Sequence, residues 1–400
     1  MERRWKIPLA KADIGPQERR AVESVLRSGT LSRGPHLEEL ERVFAQYLGR
    51  KHGIGLNSGT SGLHASLVAA EVEPGDWVLT TPLSFIASSN CILHAGAIPI
   101  FVDVEAASGN WNPELAQEAI HDLTGGSELQ RRRWLPPAFR DAREGRLAAL
   151  LPVHLFGQCS PLEPMMKVAA ERGLAVIEDT CEALGARASG RMAGTQGDAA
   201  VFGFYANKQM TMGEGGMVVT DHDLWARRIR SLRNQGRQQP NWTRGPKAGF
   251  NYRLDEMSAA LGLVQLRRLE ELLEKRRQVA GWYLEQLSGL KDVTTLQDPV
   301  SDSHLSWFVF IIRTDNEARQ RLQETLREER IECRIYFPPI HLQEPFKSLL
   351  GYGRGAFPVA EQWGETSLAL PFFPQMKPSQ VERVCSVVRR VCRQAAGSNR

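Results

Sequence analysis

The chain has 400 residues, 42% of them hydrophobic and 24% charged, with 50 Lys and Arg against 46 Asp and Glu for a formal net charge of +4. That composition describes a globular chain of about two domains rather than a disordered or fibrous one. The cation surplus is too small and too scattered for the footprint of a nucleic-acid binder, although a pI near 8.8 leaves room for a basic pocket that attracts phosphates.

At the N-terminus, Glu2, Arg3, Arg4, Lys6, Lys11 and Asp13 interrupt any apolar leader core, and no run reaches ~18 uninterrupted apolar residues. The expectation is a cytoplasmic protein without a membrane span. Residues 16–28 carry Ala21, Val22, Val25 and Leu26 on one face, the pattern of an amphipathic helix. Short apolar runs then alternate with longer amphipathic stretches. The runs predict strands at 77–80, 98–102, 148–152, 175–178, 200–204 and 217–220. The stretches predict helices at 62–70, 86–95, 113–121, 162–172 and 224–235. This alternation indicates an α/β architecture with a largely parallel sheet.

Residues 121–146 interrupt the alternation with Arg131, Arg132, Arg133, Arg140, Arg143 and Arg146 against Asp122, Glu128, Asp141 and Glu144. A solvated insertion loop is the favoured reading, and a basic flap over a phosphorylated ligand stays open beside it. Beyond Asn251 one long helix is expected over 255–288. A strand at 306–313, a helix at 317–329, a Pro-rich corner at 337–340 and a closing helix at 380–394 follow. The chain divides accordingly into a large domain, 1–254, and a smaller α+β domain, 255–400. The cysteines Cys91, Cys159, Cys181, Cys333, Cys385 and Cys392 include no C-x-x-C pair, so zinc and disulfide frameworks are not expected. They read as reduced, buried small hydrophobes.

Three features carry chemistry. Ser58-Gly59-Thr60-Ser61-Gly62 opens a helix, where free amides and hydroxyls bind phosphate or simply cap the helix. The run 175–179 ends in Glu178 and Asp179, and ligands of parallel sheets bind at strand carboxyl ends, where an aspartate can face a protonated heteroaromatic nitrogen. Lys208 follows the predicted strand 200–204 and precedes Gly213-Glu214-Gly215-Gly216, in a setting that could desolvate its amine. A helix N-terminus, an aspartate and a lysine are the requirements of a pyridoxal phosphate (PLP) site.

The chain resembles the DegT/StrS family of PLP-dependent sugar aminotransferases from Ile7-Pro8-Leu9 to Leu370-Pro371. The matching stretches are NSGTSGLH (57–64), PLSFIAS (82–88), PVHLFGQ (152–158), VIEDTCEALG (176–185), Gly197-Asp198, YANKQ (205–209), GEGGM (213–217) and GFNYRL (249–254). The resemblance implies the PLP-dependent aspartate-aminotransferase-like fold of fold type I, with a large, mostly parallel-sheet domain and a smaller C-terminal one. It implies that Lys208 bonds the cofactor covalently and then acts as general base and acid, and that Asp179 keeps the ring nitrogen protonated. Phe85 would stack on the ring, and Gly59 and Thr60 would hold the phosphate. Asn251 would reach the phosphate of the partner subunit in a homodimer with shared sites. Glu182 stands where the family often has a Gln that contacts the cofactor ring oxygen, and Gly203 stands where it often has a phosphate-binding serine.

Lys208 argues against the dehydratases of the family, which carry histidine there. The implied reaction is ping-pong transfer from an amino acid, L-glutamate by resemblance, to a keto group of a nucleotide-linked deoxysugar, with a 4-keto-6-deoxyhexose favoured. Arg253, Arg334 and His341 are the candidate cations for substrate carboxylate and diphosphate, with surface structure open as the alternative for Arg334 and His341. A keto-cyclitol acceptor and a non-catalytic regulator of the same fold remain alternatives. No nucleic-acid or membrane partner is expected.

Overall fold

Proline at the start and a left-handed glycine after the end delimit the first two helices. In the computed structural model, which describes residues 5–141, 145–237, 248–296 and 303–398, α1 (Pro16–Ser28) stops at Gly29 (φ 70°) and α2 (Pro35–Leu48) at Gly49 (φ 67°). The chain continues through β1 (His52–Leu56), α3 (Gly59–Ala69), β2 (Trp77–Thr80), α4 (Ala87–His94), β3 (Ile98–Phe101), α5 (Pro113–Gly125), α6 (Glu128–Trp134), β4 (Leu147–Leu150), α7 (Glu163–Arg172) and β5 (Ala175–Asp179). A short hairpin, β6 (Arg187–Ala188) and β7 (Arg191–Met192), precedes β8 (Ala199–Gly203), β9 (Gly216–Thr220) and α8 (Asp223–Leu232). The C-terminal part holds α9 (Glu256–Arg267), α10 (Leu269–Leu287), β10 (Thr294–Thr295), β11 (Phe310–Arg313), α11 (Asn316–Glu328), α12 (Phe346–Leu350), α13 (Pro358–Thr366), β12 (Ser367–Leu370) and α14 (Pro378–Ser398).

Seven strands form one sheet in the order β1-β9-β8-β5-β4-β2-β3. The pairs from β8 through β5, β4 and β2 to β3 are parallel, and β9 runs antiparallel to both β8 and β1. β2, β3 and β4 are buried at every residue, which is why they read as unbroken apolar runs. The second sheet, β10-β11-β12, is antiparallel. The largest apolar cluster runs from Ile7 and Trp77 to Val391 and Cys392, so it joins residues on both sides of position 255. Among the described residues no helix is long and apolar enough to cross a membrane.

Three expectations need correction. The helix expected over 255–288 is two helices, broken at Arg268 (φ −99°, ψ 6°), whose guanidinium turns to Glu18, Asp13 and Glu271. Neither glycine nor proline marks that break; a tertiary ion cluster fixes it. β1 escaped the strand pattern because of its two glycines, and packing requires them. A Cβ at Gly53 would lie 2.3 Å from the Glu41 carbonyl oxygen, and one at Gly55 would lie 2.7 Å from Leu37, so glycine lets α2 rest on the strand. The insertion is a docked helix rather than a loop. Ser127 caps α6, Leu135 is buried, and Trp134 Nε1 donates to Asp122 Oδ2 at 2.8 Å. Arg132, Arg133 and Arg146 pair with Asp141, Glu118 and Asp76. Arg143 and Glu144 lie outside the described residues.

The two acids ending β5 separate by strand alternation. Glu178 is fully buried and accepts from the backbone N–H of Gly194 (2.9 Å), Gln196 (2.8 Å) and Gly197 (2.6 Å). His154 Nε2 lies 2.8 Å from it, and because Ser160 N–H donates to His154 Nδ1 (2.9 Å), Nε2 carries the hydrogen. Burial pushes the Glu178 carboxyl up, but the His154 bond and the backbone donors outweigh it and hold the group below its ordinary 4.5. A carboxyl lowered on folding contributes stability that is fully present above 4.5 and is lost as the pH falls through the lower folded-state value. Glu178→Gln should cost about 3–5 kcal/mol at neutral pH and flatten the acid limb of stability below pH 4.5, as read by urea unfolding across pH.

Candidate active site

The carboxyl ends of β5 and β8 and the N-terminus of α3 meet at one edge of the sheet. Asp179, 5% exposed, accepts from Ser88 Oγ through Oδ2 (2.7 Å) and from Cys181 N–H through Oδ1 (3.1 Å). Ser88 lies in the first turn of α4 and its Oγ also reaches the carbonyl of Phe85 (3.2 Å), two residues ahead of the helix; Phe85 keeps 56% of its surface open. Ser58 caps α3 by accepting from Ser61 N–H (3.1 Å). The N–H groups of Gly59 and Thr60 have no partner among the described residues, which leaves two donors at a helix N-terminus for an anion.

Glycine is required here by close approach. A Cβ at Gly59 would sit 2.7 Å from Cys181 Sγ, and one at Gly203 would sit 3.3 Å from the same side chain. Cys181 thus occupies the space between the two glycines, where a larger residue at 203 would otherwise point. A Cβ at Gly216 would lie 2.2 Å from the Ser58 carbonyl oxygen, so the GEGG run lets β9 begin against the α3 turn.

Lys208 lies on the loop joining β8 to β9, its N–H donating to the Tyr205 carbonyl (3.0 Å). Its Nζ is 3.5 Å from Glu182 Oε1 and 3.9 Å from the centroid of the Phe308 ring. Glu182 is 5% exposed and also accepts from Phe156 N–H (3.2 Å). Burial pushes its carboxyl above the ordinary range, against the opposing pull of the Lys208 ammonium. An aromatic wall connects Lys208 to Phe85. Phe308 stacks near Tyr336 (6.4 Å), Tyr336 on Phe337 (4.6 Å), and Phe337 reaches Phe85 (6.2 Å). Burial, followed by the nearby Glu182 carboxylate, pushes the Tyr336 phenol up to about 12, so it stays a neutral hydrogen-bonding group.

The other predicted cations lie elsewhere. His341 is withdrawn as a substrate ligand. It is fully buried, with Nε2 3.0 Å from Glu361 Oε1 and its ring edge-on to Phe357, and burial lowers its proton affinity. Arg334 is exposed, with Nη2 3.3 Å from Glu332, on a segment whose backbone pairs with Ala369. Asn251 is exposed, and its carbonyl accepts from Asn57 Nδ2 (3.4 Å). Arg253 donates to Asn234 Oδ1 (3.2 Å) and lines a cleft of about 960 Å³ with Arg33, Arg227, Arg230 and Arg233. That cleft does not include Lys208 or Asp179. Sequence reading missed Ser88, which lay inside a recognised motif, and Phe308, for which no local signal existed.

The profile of the DegT/DnrJ/EryC1/StrS aminotransferase family matches residues 12–389. The chain belongs to that family. It is 34% identical to GDP-perosamine synthase of Caulobacter vibrioides, with 90% of each chain covered. It is 31% identical to the spore coat polysaccharide biosynthesis protein SpsC of Bacillus subtilis, over 97% of this chain and 98% of that one. Its fold is similar to that of S. venezuelae DesV in complex with a ketimine intermediate, with a TM-score of 0.82 at 31% identity and 94% of each chain covered. The chain is therefore an aminotransferase of the PLP-dependent, sugar-modifying class.

The residues present fit the cofactor. Two unpartnered amides at the α3 N-terminus suit its phosphate, a buried carboxylate held by two donors suits its ring nitrogen, and a desolvated lysine suits its aldehyde. Gly59→Ala should destabilise the protein by about 1–3 kcal/mol and weaken PLP binding, because its Cβ meets Cys181 Sγ. Adding Cys181→Ala should recover part of both losses, measured by thermal unfolding and PLP titration.

Proposed function

We propose that the protein transfers an amino group from L-glutamate to the keto group of a nucleotide-linked deoxysugar, a 4-keto-6-deoxyhexose, in the cytoplasm. The observation that carries this reading is the convergence of Lys208, Asp179 and the open α3 N-terminus beside an exposed Phe85. Bound there, PLP supplies an electron sink for breaking and making bonds at the amine-bearing carbon. Lys208 would hold the cofactor covalently, and its free amine would move the proton as general base and acid. Asp179 would keep a proton on the ring nitrogen, and Ser88 with the Cys181 amide keeps its carboxylate oriented. Glu182 balances the charge of the lysine amine at 3.5 Å. The 34% identity to a GDP-perosamine synthase supports a nucleotide-linked acceptor.

Asn251 and Arg253 lie on a segment that pairs with Leu56 and Asn57 just before the α3 turn; Asn251 is exposed, and Arg253 lines an arginine-rich cleft that does not include Lys208. This placement supports a homodimer in which each subunit lends Asn251 to the cofactor phosphate of its partner and Arg253 to the substrate anion there. Arg334, exposed beyond the Tyr336 end of the aromatic wall, is a further cation for the incoming substrate.

The visible spectrum of the protein with PLP should show a band that bleaches when L-glutamate is added. A band unmoved by L-glutamate would replace the proposed donor. Lys208→Ala should leave no borohydride-fixed PLP adduct, and a retained adduct would refute its role. Asp179→Asn should keep the adduct and lose turnover by roughly 100-fold or more, from the weakened electron sink. Mixing Lys208→Ala subunits with Asn251→Ala subunits should restore activity through hybrid sites, and no recovery would count against the shared dimer site.

A further inference from the structure

Arg276 on α10 is 3% exposed, and among the described residues no carboxylate pairs with it. Burying a guanidinium without a counter-ion is costly unless its donors are satisfied. Here they are satisfied by backbone carbonyls from two separate loops. Nη2 donates to Asn207 (3.2 Å) and Lys208 (2.7 Å), and Nη1 donates to Trp307 (3.2 Å) and Phe308 (3.2 Å). Nε has no partner. One planar fork therefore joins the backbone of the lysine to the backbone of the residue whose ring lies 3.9 Å from the lysine amine. The second loop is held in an uncommon conformation to meet it: Trp307 has φ 51°, the left-handed region that bulky residues rarely adopt.

We propose that Arg276 is a positioning residue that locks the backbone of Lys208 to that of Phe308, so that the amine is delivered over a fixed ring while only the lysine side chain moves. The proposal rests on the reading of Lys208 as the covalent attachment point. Lysine cannot replace Arg276, because a single ammonium cannot span both pairs of carbonyls in one plane. Burial lowers the proton affinity of Arg276 to about 10, still far above neutrality, so the clamp stays charged under ordinary conditions.

The test is the capture of PLP by the apo form of the full chain, followed by time-resolved visible absorption. The concentration of PLP at half-saturation reports docking of the phosphate, and the limiting rate reports attack by Lys208. Arg276→Lys should lower the limiting rate roughly 10- to 100-fold and leave half-saturation within about twofold, since a small misplacement costs rate rather than affinity. Phe308→Leu keeps the clamp and removes the ring; it should slow capture about tenfold, and the double variant should lose less than the product of the two. A limiting rate within about twofold of the parent in folded Arg276→Lys, or losses that multiply, would overturn the proposal. Should Arg276→Lys not fold, Arg276→Gln is read in the same way: a lowered limiting rate with half-saturation within about twofold supports the proposal, and an unchanged limiting rate overturns it. Absence of a borohydride-fixed adduct on Lys208 in the parent protein would overturn the functional reading and the proposal with it. An adduct with unchanged rates in the variants would overturn the proposal alone.

Discussion

The carboxyl end of β5 is the constraint on which the site depends. Successive side chains of a strand point to opposite faces, so the adjacent acids Glu178 and Asp179 are sent to different tasks by geometry alone. Glu178 gathers the amides of residues 194, 196 and 197 and the imidazole of His154, fixing the loops that support the strand end. Asp179 is left facing the open side, with two donors holding its carboxylate. A slip of one residue in the pairing of β5 with β8 would exchange the two and leave the site without its acid.

Around that end, the C-terminal third completes what the large sheet begins. Phe308, Tyr336 and Phe337 come from segments far along the chain, yet they stand between Lys208 and Phe85. The amine of Lys208 lies between the Glu182 carboxyl group, 3.5 Å away, and the face of the Phe308 ring, 3.9 Å from its centroid. The apolar cluster that crosses residue 255 holds these segments against the sheet.

Much of this was legible in the sequence because strands buried on both faces leave unbroken apolar runs, and β2, β5, β8 and β9 fell within a residue of where those runs predicted them. Lys208, Asp179 and the α3 turn were legible as candidates because strand ends and helix starts are where ligands meet a parallel sheet, and the fold brings the three to one place. What escaped depended on contacts distant in sequence. β1 was hidden by glycines that only the approach of α2 explains, and the break at Arg268 was hidden because acids near residues 13 and 18 fix it. His341 misled because a histidine beside a Pro-rich corner looks the same whether it faces a ligand or, as here, Glu361 in the interior. Phe308 and Arg276 carried no local signal, since an aromatic run and an arginine on a charged helix are ordinary features of any sequence.

Cys181 wedged between Gly59 and Gly203 couples three positions that a sequence comparison would treat one at a time. A serine at 203 would place its Cβ 3.3 Å from the thiol, so a hydroxyl can be gained there only if the neighbour gives way. A substitution at 203 and one at 181 are therefore felt together: a smaller residue at 181 relieves the contact that a side chain at 203 would make. Beside the α3 N-terminus a single sulfur atom thus acts as the spacer between two stretches of bare backbone, and the room available to a side chain at either glycine is set by the residue at 181.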